Sequence, residues 1–236
     1  LLKMFNRPGW MLIGLVVLLL LSLAGCSRSG SAEQKEPASK ESVSIQSSGT
    51  AKAKSLAEIL AQGKNHPGVY CEFAVKPDEG SVLQGKLWIA GNNLRSETID
   101  AGSQSTAIFI RNSKGYNYMF TSGDEQAIKV TDEQPAEDIN PVHSIDNVDE
   151  NTQPLGKEVL DGKNCVVVQY KQDEVDNRIW LWEDHGLPIR IESTYNNSTT
   201  VMEYSNYKFE ALPESLFELP SGMKVMELPG IGSGTP

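Results

Sequence analysis

The tetrad Leu23-Ala24-Gly25-Cys26 holds, in order, the residue types that a covalent acylation needs. Small side chains beside a scissile bond let a peptidase reach the backbone, and a thiol in the next position can be carried as a diacylglyceryl thioether. The residues before it have the layout of a secretory signal: Lys3 and Arg7 make a positive start, and Trp10 to Leu21 is an almost unbroken apolar run. The apolar stretch from Leu12 to Leu23 is about twelve residues, too short against the ~20 that span a bilayer's hydrocarbon. Residues 1–25 therefore read as a lipoprotein signal peptide with a lipobox at Leu23, Ala24 and Gly25. Cys26 reads as the lipidated residue that tethers the chain at the extracytoplasmic face of a cell membrane. In a two-membrane cell, Ser27 in place of an inner-membrane retention aspartate would direct it to the outer membrane.

Losing Lys3 and Arg7 with that segment takes the formal charge from −10 to −12. Nucleic acid is excluded as a partner, because binding phosphates takes clustered Lys and Arg. Anionic headgroups repel such a chain too, so the acyl groups, each contributing ~0.8 kcal/mol per buried methylene, must do the holding.

Other chemistry is sparse. The sequence has no Gly-x-Ser-x-Gly elbow, no His-Glu-x-x-His, no phosphate-binding Gly-x-x-x-x-Gly-Lys-Ser/Thr and no Gly-x-Gly-x-x-Gly. His66 precedes Pro67 in a loop, His143 lies in an acidic connection and His185 sits in a turn, a spacing that does not favour a metal site. No catalytic residue, metal or cofactor is expected. Cys71 and Cys165 both stand in apolar, strand-like runs, and read either as two core thiols or as a disulfide in an oxidising compartment.

The elements that would position these residues begin after a tether. From Ser27 to about Lys54 the composition is Ser, Lys, Glu, Gln, Gly and Ala, with too little apolar surface to fold. About 27 such residues span ~28 Å as a flexible coil. The folded domain is placed at 55–236. Leu56, Ile59 and Leu60 share one helical face behind Ser55 as N-cap. Alternation then replaces the helical period, with strands near 69–76, 82–90, 93–100, 104–111, 115–121 and 125–131, and a second series near 155–161, 163–172, 177–183, 186–195 and 198–210. Eleven antiparallel strands joined by short turns are too many for a flat sheet and should curl into a barrel or part-barrel. Between the two series, Ile139, Val142, Ile145 and Val148 recur every third position in an acidic stretch, 132–154. That stretch reads as a helical cover over the concave face.

Apolar and aromatic side chains on the strands supply a candidate cavity lining: Leu87, Trp88, Ile89, Phe109, Tyr118, Trp180, Trp182 and Met202. Period-two reasoning leaves open whether Leu87 and Ile89 or Trp88 point inward, and likewise for Trp180 and Trp182. There is also an internal echo. Lys86-Leu87-Trp88 followed by Arg95-Ser96-Glu97 is matched by Arg178-Ile179-Trp180 followed by Arg190-Ile191-Glu192. Each Arg/Glu pair shares a face and is expected to form cross-strand ion pairs at the surface.

The order of these motifs resembles the outer-membrane lipoprotein carrier and its lipoprotein receptor, the LolA/LolB-like superfamily. The resemblance lies in Gly85-Lys86-Leu87-Trp88-Ile89 with Leu94-Arg95-Ser96-Glu97, in Ala107 to Tyr118, and in Gly186-Leu187-Pro188-Ile189-Arg190. It extends to the close Phe217-Glu218-Leu219-Pro220-Ser221-Gly222. It covers about residues 55–228 and implies an incomplete antiparallel barrel, mainly β, with helices covering an apolar cavity that takes acyl chains. Two positions depart from the pattern: Ala90-Gly91-Asn92 lacks the arginine that latches the carriers' lid, and 132–154 is more acidic than such a lid. The expectation is a non-enzymatic, membrane-anchored envelope lipoprotein that binds acyl chains of lipids or lipoproteins. The alternative, also met among relatives of this superfamily, is a protein-interaction module regulating an envelope or cell-wall partner, as a spore-germination amidase activator does.

Overall fold

The computed structural model describes residues 54–100, 105–130 and 139–227. The signal, the lipobox, Cys26, the tether and the first part of the expected cover lie outside the described residues.

Helix α1 (Leu56–Gly63) forms where expected, and its start is fixed twice over. The Ser55 side chain accepts from Glu58 N–H, and the Glu58 carboxylate accepts from Ser55 N–H at 2.7 Å. Such a capping box satisfies two otherwise orphaned donors. Eight residues are too few for a helix to stand alone in water, so α1 depends on burying Leu56, Ile59 and Leu60.

The strands are β1 (Val69–Pro77), β2 (Leu83–Ala90), β3 (Asn93–Asp100), β4 (Ala107–Arg111), β5 (Asn117–Thr121), β6 (Gln126–Val130), β7 (Gly156–Leu160), β8 (Lys163–Gln172), β9 (Val175–Trp182), β10 (Pro188–Tyr195), β11 (Ser198–Lys208) and β12 (Lys224–Glu227). They make one sheet in the order β12-β6-β5-β4-β3-β2-β1-β11-β10-β9-β8-β7. Two antiparallel meanders meet where β1 pairs with β11, and the terminal strands β7 and β12 do not pair with each other. The architecture is therefore an incomplete β-barrel. All eleven expected strands are present. The twelfth, β12, runs parallel to β6. Its four exposed residues carry no alternation that a sequence reading could detect.

Local chemistry explains the tightest turn. Between β7 and β8 only Asp161 and Gly162 intervene, both at positive φ (51° and 72°), the pair of conformations that a two-residue hairpin requires.

The cover is smaller than expected. Over its described part, 139–154, only α2 (Pro141–Ser144) is helical, capped by the Asn140 side chain accepting from Val142 and His143 N–H. The greasy edge is real: Ile139, Ile145 and Val148 are buried and Val142 packs beside them. The polar residues between them, such as Asp146, Asn147 and Asp149, are left in turns facing solvent.

The internal echo is realised in identical register. Lys86 faces Glu97 and Trp88 faces Arg95 across β2 and β3, as Arg178 faces Glu192 and Trp180 faces Arg190 across β9 and β10. The ion pairs differ from expectation. Arg95–Glu97 (2.7 Å) and Arg190–Glu192 (2.6 Å) close within a strand, and of the two arginines Arg190 also crosses, to Glu203 at 3.0 Å. An arginine reaches a carboxylate two residues along because both lie on one face of the same strand.

Candidate functional site

The concave face of the sheet is the candidate site, and the register decides which side chains line it. Leu87, Ile89, Phe109 and Met202 belong to the core packed beneath α1 and the cover. Trp88, Tyr118, Trp180 and Trp182 do not, which corrects their place among the cavity-lining candidates. Trp88 lies on the convex side with Ile108, Ile110 and Phe217. Tyr118 pairs with Ile110 and so shares that side. Trp180 and Trp182 form a second convex cluster around Cys165 and Val167. Cations share the outward face with the rings of Trp88 and Trp180. Arg95 lies 5.9 Å from the Trp88 ring, and Arg178 and Arg190 lie 4.7 and 5.6 Å from Trp180, a stacking that favours both partners. Trp180 Nε1 also donates to Glu158 at 2.8 Å.

The inward face carries a plug. Leu56, Ile59 and Leu60 of α1, with Ile139, Ile145 and Val148 of the cover, pack against Phe73, Leu87, Ile179, Leu181 and Tyr204. Polar contacts fasten it. The buried Tyr204 hydroxyl donates to the Ile139 carbonyl at 3.2 Å and lies 2.7 Å from Met202 Sδ. Burial pushes this phenol far above its usual range, so it stays a donor. Lys64 just past α1 pairs with Asp146 of the cover at 2.5 Å.

The helix is also clipped to the β9–β10 turn. Lys54 Nζ donates to the Glu183 carbonyl at 3.0 Å, the Gln62 amide to the Asp184 carbonyl, and His66 Nε2 to the His185 carbonyl at 2.8 Å. Gly186 has φ +70°, and a Cβ there would overlap the Ile59 carbonyl and the Gly63 backbone. The imidazoles of His66 and His185 both stack on Phe209, at 4.3 and 4.0 Å, with Trp182 4.1 Å from His185. Burial and the neighbouring His66 lower the pKa of His185, against Asp184, which raises it. The sequence reading kept the histidines apart. Two of them converge because a contact between residues 119 positions apart joins the exit of α1 to a hairpin turn.

Two open clefts lie outside the apolar face. One of 590 Å³ runs between the β2–β3 and β4–β5 turns and the cover, with Asn92, Arg111 and Ser113 opposite Asn140, His143 and Asp146. A smaller one of 270 Å³ lies between Asn112, Lys114 and Tyr118 and the segment Glu214 to Leu219. Neither is lined by Leu87, Ile89, Phe109 or Met202.

The cysteines are free and buried. Cys71 lies on the concave side and Cys165 on the convex side. Between them stand β11, β10 and β9, a separation of roughly 19 Å at ~4.8 Å per strand, whereas a disulfide needs Cα atoms within ~7 Å. The core-thiol alternative is the one the structure adopts, and no bridge forms. Burial raises both thiol pKa values, that of Cys165 to about 11. Among the described residues no group of three His, Cys, Asp or Glu side chains could hold a metal ion.

No family model matches the chain, and no curated protein matches it in sequence. Solved structures do match. An uncharacterised conserved protein from Thermus thermophilus superposes with a TM-score of 0.52 at 11% identity, covering 73% of this chain and 98% of that one. A LolA superfamily protein from Nitrosomonas europaea gives 0.39 at 15% identity, over 71% and 99% of the two chains. LprF from Mycobacterium bovis gives 0.42 at 12% identity, over 64% and 90%. At such identities the likeness is one of fold alone: an incomplete β-barrel, one open sheet whose concave side is covered by a helix and a short segment.

Proposed function

We propose that this chain is a non-enzymatic envelope lipoprotein, anchored through an acylated Cys26, whose concave face exchanges its own plug for an acyl chain of a lipid or lipoprotein. The observation that carries this reading is that the apolar face is covered by α1 and the segment 139–148, pieces of chain that contribute no strand to the sheet. Uncovering Leu56, Ile59, Leu60, Ile139, Ile145 and Val148 would lose ~1.5–3 kcal/mol each, roughly 9–18 kcal/mol together. An acyl chain of roughly sixteen carbons gains on the order of 12 kcal/mol at ~0.8 kcal/mol per methylene. The two are close enough for exchange to be set by which chain is present.

The test uses the purified chain from Ser27 onward, titrated with a fluorescent long-chain fatty acid. Saturable binding that tightens in Tyr204→Phe, where the cover loses its hydrogen bond, supports the reading. Absence of saturable binding in both proteins ends it. A second reading is favoured by the tightness of the plug, in which Ile59 and Ile145 are almost wholly buried and α1 meets the β9–β10 turn backbone to backbone. Here the plugged half-barrel is a scaffold that docks and regulates an envelope or cell-wall protein, and its partner would survive delipidation in a pull-down.

A further inference from the structure

Leu155 and Val159 are the most exposed large apolar side chains among the described residues, at 58% and 61%. Val159 lies on β7, one of the two edges of the sheet, and Leu155 just before it, with Lys157 between them in sequence. Their position relative to the start of the folded chain is fixed by a short series of contacts. Lys54 Nζ donates to the Glu183 carbonyl at 3.0 Å. Glu183 N–H donates to the Asn164 carbonyl at 3.0 Å, and Asn164 pairs with Val159. Lys157 Nζ closes the circuit on the Glu183 carboxylate at 2.5 Å. Val159 is therefore two strand spacings, ~10 Å, from the Glu183 carbonyl that holds the Lys54 side chain at the start of the folded chain.

Val159 and Lys157 stand on the sheet face of Asn164 and Val166, opposite to that of Cys165 and Trp182. Exposed apolar tips with a lysine between them suit a membrane–water interface, where the apolar groups enter the lipid and the ammonium stays in water. A second protein strand is poorly served by the same edge. With Leu160 and Lys163 closing a two-residue turn, the outward backbone groups of β7 are those of Lys157 and Val159 only, and a lysine on so short an edge discourages pairing.

We infer that this corner, Leu155 and Val159 with Lys157 between them, seats on the lipid surface to which Cys26 is anchored, fixing the domain's orientation. The inference rests on the anchoring reading proposed above. A tether of the composition read for residues 27–54 has a typical coil span of ~28 Å, which gives an effective concentration at which a contact of a few side chains suffices. Held this way, the domain rests on the bilayer through β7.

The test is made on the full chain as a cell exports and processes it, reconstituted in phosphatidylcholine vesicles. Val159→Cys and Val225→Cys are each labelled with an environment-sensitive dye and quenched by nitroxide lipids. Both positions are exposed, so neither change disturbs packing, and the buried Cys71 and Cys165 do not take label. The dye at 159 is expected to be quenched severalfold more than the dye at 225 on β12. Equal quenching, with the protein floating with the vesicles, overturns the docking and leaves the anchor standing. Protein that does not float overturns both.

Discussion

Removing one oxygen atom, in Tyr204→Phe, tests how the cover is held. The ring is 1% exposed and packs among the concave-face residues, so phenylalanine keeps its contacts and leaves no cavity. What goes is the donor to the Ile139 carbonyl at 3.2 Å, a group on a residue that is itself buried. An unpartnered buried carbonyl costs about 1–3 kcal/mol. Because the cover's end can shift toward water, the loss should fall at the lower end, about 1–2 kcal/mol, or roughly 5–30-fold in the closed-to-open ratio. Hydrogen exchange followed by peptide mass spectrometry reads this directly. Protection over 139–148 should drop by that factor, while β8, β9 and β10 stay within about twofold of wild type, since local openings are cooperative units below the global stability. Uniform loss of protection over the whole sheet would show that the cover has no opening of its own. Unchanged protection in the cover would show that Tyr204 does not fasten it. Either outcome refutes the plug as a separable piece.

Three further outcomes follow from the same contacts. His185 has its pKa lowered from 6.5 in the folded protein, so the unfolded chain binds the proton first and stability is lost as pH falls from 6.5 toward the depressed value. The urea midpoint should be lower at about pH 5.5 than at about pH 7.5, and His185→Gln should flatten that difference; an unchanged slope in the variant would assign it elsewhere. Gly186→Ala must place a Cβ on the Ile59 carbonyl and Gly63 backbone at φ +70°, so calorimetry should show a loss of at least about 3 kcal/mol. The control, Gly222→Ala, should lose only about 1 kcal/mol, because there a Cβ meets open space and only the φ of +86° resists it; equal losses would refute the close approach. Native protein should give no reaction of Cys71 or Cys165 with a thiol reagent over minutes, and both should react in urea without prior reduction, as buried thiols of raised pKa do; a requirement for reductant would contradict the free-thiol geometry.

Eleven strands and the helix cap were legible because their signals are local. Alternation runs along each strand, and turn residues such as Asp161-Gly162 stop it within a few positions. The helix announces itself through Ser55 and the spacing of Leu56, Ile59 and Leu60, and the cover's buried edge through its threefold recurrence. β12 was not legible. It is four residues long, exposed on both faces, and exists only because β6, almost a hundred residues earlier, offers a free edge.

The sequence by itself also identified Trp88, Trp180 and Trp182 as important apolar groups and Cys71 and Cys165 as buried ones, but not where they go. A sheet apolar on both sides gives no amphipathic contrast. On the convex side Phe217 packs with Ile108 and Ile110 beside Trp88, and Trp180 and Trp182 pack around Cys165 and Val167, so facing was decided by register and by distant segments. The same holds for His66 and His185, brought together around Phe209, and for Tyr204 beneath Ile139. Side-chain type and local period determine which element forms and how greasy it is. Which face turns inward, which thiols stay apart and what fastens the plug depend on pairings between residues tens to more than a hundred positions apart, and only the closed chain supplies those.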